Sequence, residues 1–107
     1  MEFRDKCVIT RDTGAYDEYG NALVETIYEG ECHYEKGGQS NVNRMIILNP
    51  MIFLPSNNVL VKVNDAVSIE TFFPRVITGI VESVRDIRFT LMERETTRIE
   101  LKQASEE

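Results

Sequence analysis

The feature that most constrains this chain is its punctuation. Short runs rich in Val, Ile, Thr and Tyr recur along the sequence, and clusters of Gly, Pro, Asn and Asp separate them. Near the start, Lys6-Cys7-Val8-Ile9-Thr10-Arg11 reads as a first strand and Leu23-Val24-Glu25-Thr26-Ile27-Tyr28-Glu29 as a second. Between them lies a polar turn cassette, Asp17-Glu18-Tyr19-Gly20-Asn21. Gly20 and Asn21 adopt positive φ at little cost, which suits a connection that must reverse direction.

The same logic carries along the chain. From Glu31 to Lys36 the residues alternate at period two, the pattern of a strand with one face toward a core. Gly37-Gly38-Gln39-Ser40-Asn41-Val42-Asn43 reads as a flexible loop running on to Arg44, and it is a candidate assembly or partner loop because a Gly-rich polar segment changes shape easily. Arg44 to Leu54 is the most apolar stretch. Pro50 removes a backbone donor, so this stretch reads as two pieces or one bulged strand broken at Asn49-Pro50, with a short helix within 42–48 as the competing reading. Val59-Leu60-Val61-Lys62-Val63 and Ala66-Val67-Ser68-Ile69-Glu70 have the spacing of a tight hairpin about Asn64-Asp65. Phe72-Phe73-Pro74 marks a further connection. Arg75 to Arg88 is β-branched, with Gly79 placed for a bulge or barrel bend. After a polar connection at Glu93-Arg94-Glu95, Thr96 to Lys102 alternates as a closing strand, and Ala104-Ser105-Glu106-Glu107 reads as a frayed acidic end. The expectation is a mainly β chain: a small antiparallel barrel or sandwich of six to eight strands, in a single domain spanning residues 1–107.

Bulk properties exclude several function classes. A 107-residue chain can bury roughly two-thirds of its unfolded surface, enough for a core without metal or disulfide staples. No apolar run approaches the ~20 residues that span a bilayer, and Met1-Glu2-Phe3-Arg4-Asp5 lacks the basic-then-apolar order of a signal peptide, so neither a membrane partner nor export is expected. The net charge of −6 opposes general attraction to a phosphate backbone, and Arg85, Arg88, Arg94 and Arg98 are interleaved with carboxylates. Cys7 and Cys32 fall inside strands and read as reduced core residues; two cysteines and one histidine are too few ligands for a usual structural zinc site.

Reactive groups are sparse. Cys32 and His33 are adjacent on a strand and therefore project to opposite faces, which argues against a nucleophilic pair. Asp17 and Glu18 sit beside a turn glycine, where a carboxylate ordinarily bonds its own backbone. Gly37-Gly38 lacks the Lys-Ser/Thr ending of a phosphate-binding loop. The expectation is a non-catalytic protein with no cofactor and no metal site. Contact features are better represented: Tyr16, Tyr19, Tyr28 and Tyr34 cluster in the first third, and tyrosines supply apolar area with a polar tip.

Taken in order, the opening strand, Asp17-Glu18-Tyr19-Gly20, the strand carrying Val24-Glu25-Thr26 and the paired strand Glu31-Cys32-His33-Tyr34-Glu35 resemble the bacteriophage head–tail joining (head-closure or adaptor) proteins. The resemblance covers residues 5–35; Met45–Leu54 and the Phe72-Phe73-Pro74 connection follow no pattern of that family. It implies a small β-barrel virion protein, made in the cytoplasm of a bacterial host and residing at the head–tail junction. It also implies partners: other copies of the chain in a ring, portal or adaptor proteins, and tail proteins, with DNA passing through the ring without being strongly bound. In the family an extended loop joins early and middle strands, a role that falls here on Gly37–Asn43 and Arg44. The competing expectation is a small SH3-like or OB-like barrel that binds a peptide or nucleic acid, which would display exposed aromatics beside basic residues.

Overall fold

The computed structural model describes residues 3–36, 39–41, 45–47, 49–55, 60–89 and 94–106. Among these there is no helix. The strands are β1 (Asp5–Tyr16), β2 (Ala22–Glu35), β3 (Gln39–Asn41), β4 (Met45–Ile47), β5 (Met51–Leu54), β6 (Ala66–Glu70), β7 (Val76–Phe89) and β8 (Arg94–Glu106). Six of them close into an antiparallel barrel in the order β1-β2-β5-β8-β7-β6, and β3 and β4 pair separately. The expected small mainly-β barrel is what the chain forms, its sheet closed by the ladder between β1 and β6.

Period-two alternation builds the core. Cys7 and Ile9 of β1, Cys32 of β2, Ile52 and Leu54 of β5, Val67 and Ile69 of β6, Ile77 and Val81 of β7, and Ile99 and Leu101 of β8 are all buried and form one cluster. Most of their neighbours along each strand are more exposed, although Phe53, between Ile52 and Leu54 on β5, is buried too. Pro50 falls between β4 and β5, where its carbonyl accepts from Leu101 N at 2.8 Å and its missing donor costs nothing.

Several sequence expectations are corrected. The second and third expected strands are one strand, β2, running straight through Gly30. Tyr28 explains this: its hydroxyl donates to the Glu31 carbonyl at 2.7 Å, and a Cβ on Gly30 would lie 3.1 Å from the Tyr28 hydroxyl oxygen. Gly30 is thus the gap that a tyrosine ring covers, not a turn. Burial pushes the Tyr28 phenol up to about 12, with Cys7 and Cys32 nearby. Gln39–Asn41 form β3 rather than loop, and Met45–Ile47 form β4 rather than helix, paired from Gln39↔Ile47 to Asn41↔Met45. Gly37, Gly38, Val42, Asn43 and Arg44 lie outside the described residues. Arg94 and Glu95 belong to β8, opposite Phe89 and Arg88. Ser105 and Glu106 are not frayed; they pair with Thr78 and Ile77. The irregularity expected at Gly79 is present, but its extra residue falls on β8, where Gln103 takes φ 54°.

The expected hairpin about Asn64-Asp65 does not form, because Leu60–Val63 are not in a strand. This segment instead lies on the connection from β5 to β6, which are not neighbours in the barrel and so must be joined by a crossing. Val61 is buried there against the core. Asp65 is the anchor, only 3% exposed. Its Oδ1 accepts from Arg11 Nε at 2.8 Å, and its Oδ2 accepts from Arg11 Nη2 at 2.9 Å and Lys62 N at 2.8 Å. The same Arg11 Nη2 donates to the Leu60 carbonyl at 2.8 Å. Backbone bonds join Asn64 and Asp65 to Val81, and Asn64 takes φ 76°, a conformation asparagine tolerates.

Burial pushes the Asp65 carboxyl up, but the Arg11 guanidinium and the Lys62 amide outweigh it and hold the group below its ordinary value of 3.8. The contact with Asp65 correspondingly raises Arg11. Because the folded value lies below the unfolded one, the stabilisation is complete above the ordinary carboxylate range and is lost as pH falls through the folded value. Asp65→Ala should destabilise the barrel by about 1–3 kcal/mol by leaving the Lys62 amide and the partly exposed Arg11 guanidinium without their acceptor. Thermal melts at neutral pH should show a drop on the order of 10 °C. The difference between wild type and variant should shrink below the ordinary carboxylate range; a gap independent of pH would contradict the assignment.

Candidate interaction surfaces

β1 has two lives. From Lys6 to Thr10 it is paired on both edges, with β2 and with β6. Beyond Thr10 its pairing with β6 stops, while pairing with β2 continues through Asp12↔Val24 to Tyr16↔Ala22. The outer part of the hairpin, roughly 20 Å at about 3.3 Å per residue, is therefore an arm held by its own two strands. Leu23, Val24, Tyr16 and Tyr19 are all exposed on it, the two tyrosines 70% and 81%. Two-stranded ribbons are marginal alone, and this one is braced locally. Thr13 Oγ1 donates to the Leu23 carbonyl at 2.9 Å, and Gly14 N donates to Asp12 Oδ1 at 2.8 Å.

The cassette Asp17–Asn21 caps this arm. Asp17 Oδ1 accepts from Tyr19 N at 2.8 Å and from Asn21 N at 2.9 Å, Asp17 N donates to the Asn21 carbonyl, and Gly20 N donates to the Asp17 carbonyl. The Asn21 amide, followed by those of Tyr19 and Gly20, holds the Asp17 carboxyl below its usual range. Gly20 takes φ 82°, whereas Asn21 does not take positive φ and closes the turn by hydrogen bonds instead. Asp17 is thereby committed to its own turn. Tyr19 is left to project from the tip.

A second surface lies at the opposite end of β1. Asp5 stitches that end: its Oδ2 accepts from Tyr34 N at 2.9 Å and its Oδ1 from Phe72 N at 2.8 Å. The β6–β7 connection is folded on itself by Thr71, whose hydroxyl donates to the Phe73 carbonyl and whose amide donates to the Arg75 carbonyl at 3.0 Å. Phe72 and Phe73 are forced outward, 60% and 77% exposed, with their rings edge to face at 5.4 Å. The Arg4 guanidinium lies 5.4 Å from the Phe72 ring centroid. A shallow groove of about 320 Å³ opens here, lined by Tyr34, Lys36, Thr71, Phe73, Arg75 and Ile77. Both charged members of that lining are cations.

The four tyrosines divide between roles. Tyr16 and Tyr19 belong to the arm, while Tyr28 and Tyr34 pack partly against the core. Cys7 and Cys32 are free, buried thiols, and contact with Cys7, then burial, pushes the Cys32 thiol up. His33 faces the other way, with its Nε2 3.3 Å from Glu35 Oε1 and its ring 6.1 Å from that of Phe53. Thiols and imidazole are thus on opposite faces of β2. Among the described residues no group of three or more His, Cys, Asp or Glu side chains is placed to hold a metal ion, and no helix is long and apolar enough to cross a membrane. Sequence reasoning missed the Phe72–Phe73 surface; two adjacent large aromatics in a connection too short to be a strand were the signal that marked it.

Gly20→Ala forces a side chain into left-handed backbone and should cost the turn about 1 kcal/mol. Hydrogen exchange at Tyr19–Asn21 should accelerate several-fold while the barrel melt stays within a degree or two. A large loss of global stability would show that the arm is integral to the barrel.

No protein-family model matches the chain, and neither a curated protein nor a solved structure is significantly similar to it.

Proposed function

We propose that this chain is a virion structural protein of a phage or prophage, joining the head at its portal to the tail and assembling with its own copies as a ring around the DNA passage. The observation that carries the reading is the arm: a braced hairpin that leaves the barrel and displays Tyr16, Tyr19, Leu23 and Val24 to solvent. Exposed apolar side chains held on a projecting element are what a docking subunit needs. The stretch that resembles the head–tail joining proteins, residues 5–35, spans this same β1–turn–β2 unit. The net charge of −6 suits a conduit through which DNA must pass without being held. In this reading the protein acts at the head–tail junction of the virion, after synthesis in the host cytoplasm. Its partners are its own copies, portal or adaptor proteins and tail proteins.

A second reading draws on the opposite end of the barrel. Phe72 and Phe73 beside Arg4, Lys36 and Arg75 are the exposed aromatics and cations that a small barrel binding single-stranded nucleic acid would present. Affinity for single-stranded DNA that falls steeply with salt would favour it.

The test of the main reading is assembly on a portal. Purified protein, mixed with DNA-filled heads that carry portals but lack joining proteins, should co-sediment with the heads and appear as a ring of density at one vertex by electron microscopy. Heads that emerge bare, or binding spread over the whole capsid surface, would contradict it.

A further inference from the structure

Cys7 and Cys32 stand together on the inner face of the β1–β2 pair. In that ladder Cys7 lies opposite Gly30, and Cys32 lies opposite Asp5. The two cysteines are therefore diagonal neighbours on adjacent strands, both buried in one cluster and both free thiols. Gly30 offers Cys7 no side chain, so Tyr28 and Cys32 are the β2 side chains that flank it on that face. On a flat sheet the Cα atoms of diagonal neighbours stand about 7–8 Å apart, just beyond the usual span of a disulfide. Inside a closed barrel inward side chains converge, and the Cys32 thiol is within hydrogen-bonding reach of Cys7. Cys7 also borders a groove of about 280 Å³ on the barrel wall, which Val8, Gly30 and Ser68 line with it.

We propose that Cys7 and Cys32 are a latent disulfide, open while the protein is made in a reducing cytoplasm and closed by a peroxide once it leaves the cell. The Cys7 thiolate attacks a peroxide oxygen: the S–O bond forms, the O–O bond breaks, and the leaving hydroxide takes up a proton to become water. Cys32 then gives up its proton and attacks the Cys7 sulfenic sulfur; the S–S bond forms and the sulfenic oxygen leaves as water. Two thiols are oxidised, and one hydrogen peroxide is reduced to two molecules of water. Closure on leaving the cell rests on the head–tail reading, because virion surfaces are oxidising; the bond itself needs only the ladder and a peroxide. It ties β1 to β2 within the stretch that closes the barrel and encloses the whole arm in a covalent loop. Both thiols are buried, so the reaction is slow and only a small oxidant serves.

The experiment treats folded, reduced protein with hydrogen peroxide for hours, quenches with catalase, and reads maleimide labelling in denaturant and the peptides of a digest. Wild type should take no label, run as a monomer in non-reducing electrophoresis and yield a Cys7–Cys32 peptide. Dithiothreitol should restore both labels. Amides of Lys6–Thr10 should exchange several-fold more slowly in the oxidised form. Cys32→Ala, which has no second thiol, should hold Cys7 as a sulfenic acid that dimedone traps. Wild type that keeps both labels while the urea-unfolded chain oxidises, or that carries sulfinic acid at Cys7 in place of the bond, overturns the pairing. Bacterial cells expressing the protein, quenched in acid, should show both thiols free; a bond already present there overturns the switch. Protein that forms the bond but does not bind portal vertices supports the pairing and sinks the head–tail reading. Protein that binds portal vertices and never forms the bond overturns the pairing and leaves the head–tail reading standing.

Discussion

Closure of the barrel depends on one strand. β1 is the seam: between Lys6 and Thr10 it must satisfy β2 on one edge and β6 on the other, and without both ladders the sheet would stay open with two exposed edges. A carboxylate fixes each end of that seam. Asp5 holds it to Tyr34 of β2 and to Phe72 beyond β6. At the other end Arg11, the first residue past the seam, is gripped by Asp65 and by the Leu60 carbonyl. The second clamp also seats the β5–β6 connection over the core. Losing Asp65 therefore loosens the seam, the connection and the root of the arm together.

The same two clamps produce the exposed surfaces. Because Asp5 draws the Phe72 amide inward, and Thr71 tightens the connection, the rings of Phe72 and Phe73 have nowhere to go but outward. Because Arg11 is tied down, the hairpin beyond it leaves the barrel from a fixed root. The interior contributes stability but little accessible chemistry: its thiols are buried and its core is aliphatic.

Much of the architecture was legible in the sequence, and the failures have physical causes. β-Branched runs and punctuation gave the mainly β barrel, the Asp17–Asn21 cassette gave the first hairpin turn, and Pro50 gave the break between β4 and β5. The split between Glu29 and Glu31 misled because Gly30 interrupts the β-rich pattern without ending the strand, a tyrosine ring covering its gap. Asn64-Asp65 misled because a carboxylate buried by a partner 54 positions away carries no local mark. The tail misled because its last residues are polar, although the long strand β7 offers them a ladder through a bulge at Gln103. The arm's tyrosines were visible in sequence; the aromatic groove was not, since only the fold brings Tyr34 and Lys36 beside Phe73 and Arg75.

Closure at the β1 seam rests on the clamp between Arg11 and Asp65, and residue-resolved hydrogen exchange of wild type and Asp65→Ala tests this directly. The amides of Lys62 and of the β1–β6 ladder from Lys6 to Thr10 should exchange markedly faster in the variant, while the β7–β8 ladder changes least. Acceleration spread evenly over the barrel, or an unchanged β1–β6 ladder, would contradict the account.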